Sequence, residues 1–255
     1  MVTQAERVSG PLSTWDWSSW RLSPRRLAAA AVVAAYAVLL AASAETALRW
    51  LAVLLAIEVV LLCLPWRLPR NRRSRPSFWL EVLVGLSAPL GALLVAAVVD
   101  SSLWGGWPAW WWYPVALLCG AGLVLLGGMD LRKLRNGDLA FLMGPTPHGR
   151  ARAASGALAP PGEELLFRAP LLVVSSPAAL PLGLLSGLAF VAIHYVQPGS
   201  NGRDSTRSLA VAMVAAVILA ALTLLSGSVY PAILAHLLNN APGVLLHLQC
   251  EREDP

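Results

Sequence analysis

The chain consists of long apolar runs separated by short polar segments. A helix that crosses a bilayer needs about 20 mostly apolar residues, and we identify eight runs of roughly this length. They lie at residues 27–44, 50–66, 78–99, 110–129, 159–174, 180–196, 208–225 and 229–248. This pattern predicts an all-α fold, a polytopic transmembrane helical bundle with about eight spans.

The basic residues between the runs predict the orientation of the chain. If the N-terminus is inside, the cytoplasmic segments are 1–26, 67–77, 130–157, 197–207 and 249–255. These segments hold 17 of the 19 Lys and Arg residues, while the external loops hold Arg49 alone and Arg168 lies inside the fifth run. Because Lys and Arg concentrate in cytoplasmic loops, we expect a multi-pass plasma-membrane protein with both termini in the cytoplasm.

The composition narrows the class of protein. Only 13% of the residues are charged and 57% are hydrophobic, whereas a soluble domain carries about 25% charged residues. This excludes an ordinary cytosolic enzyme, a disordered chain and a nucleic-acid-binding protein. The net charge of +5 comes largely from the predicted loops, so a lipid bilayer is the expected partner. The three cysteines indicate neither a disulfide framework nor a metal cluster.

The loop at 130–157, which is rich in Gly, Pro and Arg, divides the chain into two halves. We expect a cytoplasmic N-terminal segment (1–26), a four-span N-terminal half (27–129), the loop (130–157), a four-span C-terminal half (158–248) and a cytoplasmic tail (249–255). The first run could instead be a signal peptide, because Ala42-Ser43-Ala44 resembles a cleavage site. Its length and its long polar leader favour a retained helix.

The N-terminal half carries two acidic residues inside its runs. An ionisable residue within a membrane is costly and marks a candidate functional site. Glu58 lies in the middle of its run, whereas Glu81 lies near the inner boundary, where it can reach water or Arg75. We interpret both as carboxylates that form a helix–helix hydrogen bond or extend to the interface.

The C-terminal half carries more polar residues, in three of its four runs. They are Glu163, Glu164, Arg168, His194, His236, Asn239 and Asn240. Helical spacing places Glu164 and Arg168 on one face, where they can pair, and turns Glu163 about 100° away from Glu164. The same i, i+4 spacing joins His236 to Asn240, and also Phe190 to His194.

The polar residues lie at different predicted depths in the membrane, which argues against a single flat site. Pro160-Pro161 suit a helix N-terminus, which places Glu163 near the cytoplasmic start of the fifth span. His194 lies near the cytoplasmic end of the sixth span, but His236 lies about 18 Å from the inner end of the eighth. A water-filled funnel open to the cytoplasm would reconcile these depths.

These residue types suit hydrolysis. A carboxylate can take a proton from water, one imidazole can orient that water, and the other imidazole can join an Asn side chain in donating hydrogen bonds to an oxyanion. The alternative is a polar network that only holds three helices together.

Three short motifs are similar to those of a known family. Residues 163–168 (EELLFR) resemble EExxxR, residues 190–194 (FVAIH) resemble FxxxH, and residues 236–240 (HLLNN) resemble HxxxN. These are the motifs of the CPBP family, the CaaX-protease and bacteriocin-processing (Abi) intramembrane proteases. Their order and spacing also match, over about residues 157–248. A Gly often follows the motif Arg in the family, and here Ala169 takes that position.

The resemblance implies an intramembrane endopeptidase similar to the type II CaaX prenyl endopeptidases, which remove the last three residues of prenylated proteins. It assigns catalytic roles to Glu163 and His194, which activate the water, and to His236 and Asn240, which form the oxyanion site. It makes Glu164 and Arg168 a structural pair and Phe190 a packing residue. The expected partners are a peptide or lipidated protein substrate and the lipid bilayer.

Three questions stay open from the sequence. Glu163, His194 and His236 could offer zinc one carboxylate and two imidazoles, yet the chain has no HExxH motif. A catalytically idle immunity or scaffold protein of the same family is an alternative. A small transporter or channel is a weaker one, because matched broken helices are absent from the two halves.

The orientation can be tested with fused reporters. A fluorescent protein that folds only in the cytoplasm should fluoresce when fused after Pro255, because the loop charges place the C-terminus inside. An enzyme reporter that works only outside should be inactive after Pro255 and active after Trp107. External activity after Pro255 would overturn the orientation.

Overall fold

The computed structural model describes residues 23–63, 75–143, 149–174, 179–196 and 203–250. Every regular element in these ranges is a helix, so the predicted all-α class is confirmed. Most of the predicted N-terminal segment and C-terminal tail lies outside the described residues, as do the side chains of Glu81 and Arg75.

The described α-helices fall at the predicted runs, except for two short ones within the predicted loop at 130–157. They are α1 (Pro24–Ala41), α2 (Thr46–Cys63), α3 (Arg75–Val98), α4 (Trp112–Gly127), α5 (Leu131–Arg135), α6 (Asp138–Met143), α7 (Gly149–Phe167), α8 (Ala169–Val173), α9 (Ala179–Tyr195), α10 (Arg203–Ser226) and α11 (Tyr230–Gln249). A short 3₁₀ helix, Ser101–Trp104, precedes α4. The fifth run is divided between α7 and α8, and each of the other seven coincides with one helix.

Three described helical segments are long and apolar enough to cross a membrane. They are Pro24–Ala41, Thr46–Cys63 and Arg207–Ser226. Shorter apolar helical stretches lie in α3, α4 and α9. The prediction of about eight spans therefore stays a prediction.

The N-terminus of α7 differs from the prediction. The helix begins at Gly149 rather than at Pro160-Pro161, and both prolines lie inside it. The reason is the segment 149–159, where five Ala and two Arg residues favour a helix. The predicted loop at 130–157 therefore contains α5, α6 and the first turns of α7.

Helix α7 packs against helices of both halves of the chain. It packs against α3 on one side and α11 on the other, and α11 also packs against α4. A Cβ atom at Gly162 would overlap the backbone of Pro89 in α3, and one at Gly120 in α4 would meet the Ala235 carbonyl of α11. Both contacts need glycine because the backbones approach closely.

The C-terminal end of α7 is held by α1 and α9. Pro170 has no N–H group to donate to the Leu166 carbonyl, and the Tyr36 hydroxyl donates to that oxygen at 3.2 Å. The next carbonyl, of Phe167, accepts a hydrogen bond from the Ser186 hydroxyl. Buried carbonyls need partners, and here two neighbouring helices supply them.

Gly162→Ala should separate α3 from α7 and destabilise the protein. The methyl group overlaps the backbone of Pro89, and overpacking of this kind costs about 1–3 kcal/mol. Thermal unfolding in detergent measures the effect. Gly122→Ala in α4 is the control, because nothing lies near its Cβ position. A Gly162→Ala protein as stable as that control would contradict the close approach.

Candidate active site

Helices α7, α9 and α11 bring the three motifs together. The Oε2 atom of Glu163 lies 3.7 Å from Nε2 of His194 and 3.7 Å from Nε2 of His236. Because α7 begins at Gly149, Glu163 is 14 residues into the helix, about 21 Å at 1.5 Å per residue. Glu163 is therefore deep in α7, and the expected mismatch in depth with His236 does not arise.

His236 is held by a second carboxylate. Its Nδ1 atom lies 2.7 Å from Oε1 of Glu164, and both side chains are buried. A carboxylate only accepts, so Nδ1 carries the proton and donates it, which turns Nε2 toward Glu163. This contact was not predicted, because the spacing of Glu164 suggested Arg168 as its partner.

Glu164 also pairs with Arg168, as the i, i+4 spacing predicted. Nε of Arg168 lies 3.4 Å from Oε2 of Glu164, and the two side chains are 1% and 0% exposed. The Nη1 and Nη2 atoms of Arg168 have no hydrogen-bond partner among the described residues. Instead, the guanidinium carbon lies 4.1 Å from the centre of the Phe190 ring, where cation–π attraction stabilises it.

Phe190 contacts both histidines. Its ring centre lies 4.2 Å from that of His194 and 5.8 Å from that of His236. The Nδ1 atom of His194 lies 2.8 Å from the Phe190 carbonyl oxygen, which can only accept. His194 therefore donates through Nδ1 and, like His236, presents Nε2 to Glu163. The packing role that the motif implied for Phe190 agrees with these contacts.

Asn240 is oriented by the prolines of α7. Pro160 has no N–H group to donate to the Gly156 carbonyl, four residues earlier. The Nδ2 atom of Asn240 donates to that oxygen at 3.3 Å, and Asn239 donates to Oδ1 of Asn240 at 3.4 Å. The carboxamide is thereby held in one orientation, with a second N–H still available.

Two cavities meet at this cluster and share Gly85, Glu163 and His194 as walls. The first, about 200 Å³, has mostly apolar walls from α2, α3, α7 and α9. The second, about 450 Å³, is more polar and lies between α3, α7 and α11. Asn240 lines the second cavity. We name them the apolar cavity and the polar cavity.

The N-terminal half contributes residues that the sequence did not link to the site. Glu58 of α2 and Arg26 of α1 line the apolar cavity together with Glu163. Glu58 was interpreted as an interhelical or interfacial carboxylate. Its position inside a predicted span was the signal that could have assigned it to the site.

The possible zinc ligands converge but do not form a metal site. Within the described part of the chain, no group of three or more His, Cys, Asp or Glu side chains is arranged to hold a metal ion.

Glu164→Gln and Arg168→Gln should each lower stability by about 3–5 kcal/mol, because each leaves a buried charge without its full complement. Thermal unfolding in detergent measures this loss. Lys133→Gln is the control, since its ion pair with Asp130 is about half exposed and worth little. If the two buried variants unfold like Lys133→Gln, the pair is hydrated rather than buried.

The comparisons with known proteins agree with the motifs. Residues 151–242 match the family model described as type II CAAX prenyl endopeptidase Rce1-like. No curated protein and no solved structure gives a significant match to the chain. The matched range holds all three motifs, and with the apolar helices it indicates a membrane protease. Residues 151–242 therefore carry an Rce1-like domain, and the family resemblance of the motifs is confirmed.

Proposed function

We propose that this protein is an intramembrane endopeptidase that hydrolyses a peptide bond near the cytoplasmic membrane face. The observation that carries the proposal is the position of the Glu163 carboxylate, 3.7 Å from Nε2 of two different histidines. This separation exceeds a direct hydrogen bond, and a water that sits beside the two contacts can hydrogen-bond to these side chains. A water in that place contacts one base and two imidazoles.

Glu163 is the general base. It takes a proton from the water as the oxygen attacks the carbonyl carbon of the substrate. His194 orients the water through Nε2, since its Nδ1–H is committed to the Phe190 carbonyl. When the tetrahedral intermediate collapses, the C–N bond breaks and Glu163 returns the proton to the leaving amine nitrogen.

His236 and Asn240 form the oxyanion site. His236 must be an imidazolium to donate through Nε2, because Nδ1 already donates to Glu164. The carboxylates of Glu163 and Glu164 lie on either side of the ring and favour that charge. Asn240 supplies a neutral donor through its second N–H.

The substrate is a peptide or a lipidated protein at the bilayer surface. The apolar cavity suits an apolar segment beside the scissile bond, and the family match supports processing of the CaaX type. Leader-peptide cleavage is the other form of the same activity. In both cases the protein lies in the cell membrane with cytoplasmic termini and opens its site toward the cytoplasm.

Glu163→Gln should abolish most of the activity without unfolding the protein. Glutamine keeps the shape of the side chain but cannot accept the proton, and the loss of a general base costs about 100- to 10,000-fold in rate. Asn240→Ala should cost about 100- to 1,000-fold, as expected for an oxyanion donor. The measurement is the cleavage rate of a prenylated peptide in liposomes per folded molecule.

Glu45→Gln is the matched control, because Glu45 is exposed and lies just before α2, away from the motifs. It should cleave at the wild-type rate. A folded Glu163→Gln protein that also cleaves at that rate would rule out the glutamate-base mechanism. A catalytically idle immunity or scaffold protein would then be the favoured interpretation.

A further inference from the structure

The polar cavity is lined by a guanidinium and an imidazole as well as by the proposed general base. Arg152 of α7 and His247 of α11 line it together with Asn240, Glu163 and His194. Glu163 is the one acidic residue among its described walls. Away from Glu163, the cavity is therefore suited to an anion.

Arg152 and His247 act on the same region of the cavity. They are close enough to interact electrostatically, although they belong to different helices. Nδ1 of His247 is buried and has no hydrogen-bond partner among the described residues, so Nε2 is the nitrogen that a ligand can reach. A guanidinium beside an imidazole offers several donors to one planar anion, which is the arrangement that binds carboxylates well.

We propose that Arg152, assisted by His247, binds the C-terminal carboxylate of the substrate. This inference rests on the proposed function and narrows it, because it makes the protein specific for C-terminal tails rather than for internal leader sites. The polar cavity then holds the released fragment. The apolar cavity, on the other side of Glu163 and His194, holds the residues that precede the scissile bond.

The geometry limits the length of the released fragment. Arg152 and Glu163 are 11 residues apart on α7, which is about 16 Å along the axis at 1.5 Å per residue. An extended peptide covers about 3.3 Å per residue, so about five residues span the whole distance. The Arg152 side chain covers part of it, and the fragment is therefore shorter than five residues.

A peptide carboxylate fits the cavity better than a lipid phosphate does. The cavity is continuous with Glu163 and His194, so an anion bound there can belong to the molecule that is cut. An acidic lipid would compete with the substrate for the same space. A comparison of a free acid with its amide separates these two cases.

The test uses one fluorescent peptide that ends in S-farnesyl-Cys-Val-Ile-Ala, prepared as the free acid and as the C-terminal amide. Wild-type protein in liposomes of neutral lipid should cleave the acid with a kcat/KM about 10- to 100-fold higher than the amide, as a charge-assisted contact predicts. Arg152→Gln should lose most of this preference through KM, with a much smaller loss on the amide than on the acid. Arg152→Lys should keep part of the preference.

Arg150→Gln is the matched control. It removes the same charge from the same helix, but Arg150 is exposed and lies about 200° around the helix from Arg152. It should keep the full preference for the acid. Two results overturn the proposal: equal cleavage of acid and amide by the wild type, or an equal loss on both peptides in Arg152→Gln.

If the wild type cleaves neither peptide, that result counts against the proposed function. Measurements of peptide binding then test the carboxylate site separately. Both peptides are titrated against Glu163→Gln protein with and without Arg152→Gln. Tighter binding of the acid that disappears in the double variant supports the carboxylate site independently of cleavage. Equal binding of acid and amide overturns it, and so does a preference for the acid that survives Arg152→Gln.

Discussion

The arrangement of the site depends on the burial of one carboxylate, that of Glu164. A charge in apolar surroundings is stable only when it is paired, and Glu164 is paired twice, with Arg168 just after the end of α7 and with His236 on α11. The first pair compensates the buried charge locally, and the second fixes α11 against α7. Since adjacent residues on a helix differ by about 100° in direction, burying Glu164 turns Glu163 away from the core and into the cavities. One buried carboxylate thus positions its neighbour, the proposed general base.

Prolines in and after α7 extend the same principle to the backbone. Pro160 and Pro170 each leave a carbonyl four residues earlier without its helical donor, and an unpaired buried carbonyl is costly. Side chains from other helices satisfy both: Asn240 donates to the first carbonyl, and Tyr36 of α1 donates to the second. The two carbonyls of α7 that lack a helical donor are therefore the points at which side chains of α11 and α1 hydrogen-bond to α7. In this way a feature that normally disrupts a helix orients the carboxamide of Asn240, the proposed oxyanion donor.

Local patterns predicted the all-α class, the positions of the helices and the pairing of Glu164 with Arg168, because each depends on residues within a few turns of one another. The contact between Glu164 and His236 could not be predicted, since 72 residues separate them and only the packing of α7 on α11 joins them. The sequence predicts too late a start for α7, because Pro160 and Pro161 suit a helix N-terminus but lie inside the helix. The Ala-rich turns from Gly149 outweigh that signal. Because the predicted start of α7 was too late, Glu163 was expected near the beginning of the helix rather than deep within it.

The two halves of the chain contribute different parts of the candidate site. The C-terminal half supplies the groups that we propose to handle protons and charge, and its three motifs lie within the region of the family match. The N-terminal half supplies walls: α2 and α3 line the apolar cavity, and α3 also lines the polar one. Hydrolysis requires fixed distances between the reacting groups, which the paired charges provide. Selection of a substrate requires a cavity of suitable shape. Glu58 belongs to that second group, because it lies on α2 and faces the cavity that Glu163 also lines. The structure thus separates the motif residues, on α7, α9 and α11, from the cavity walls that α2 and α3 contribute.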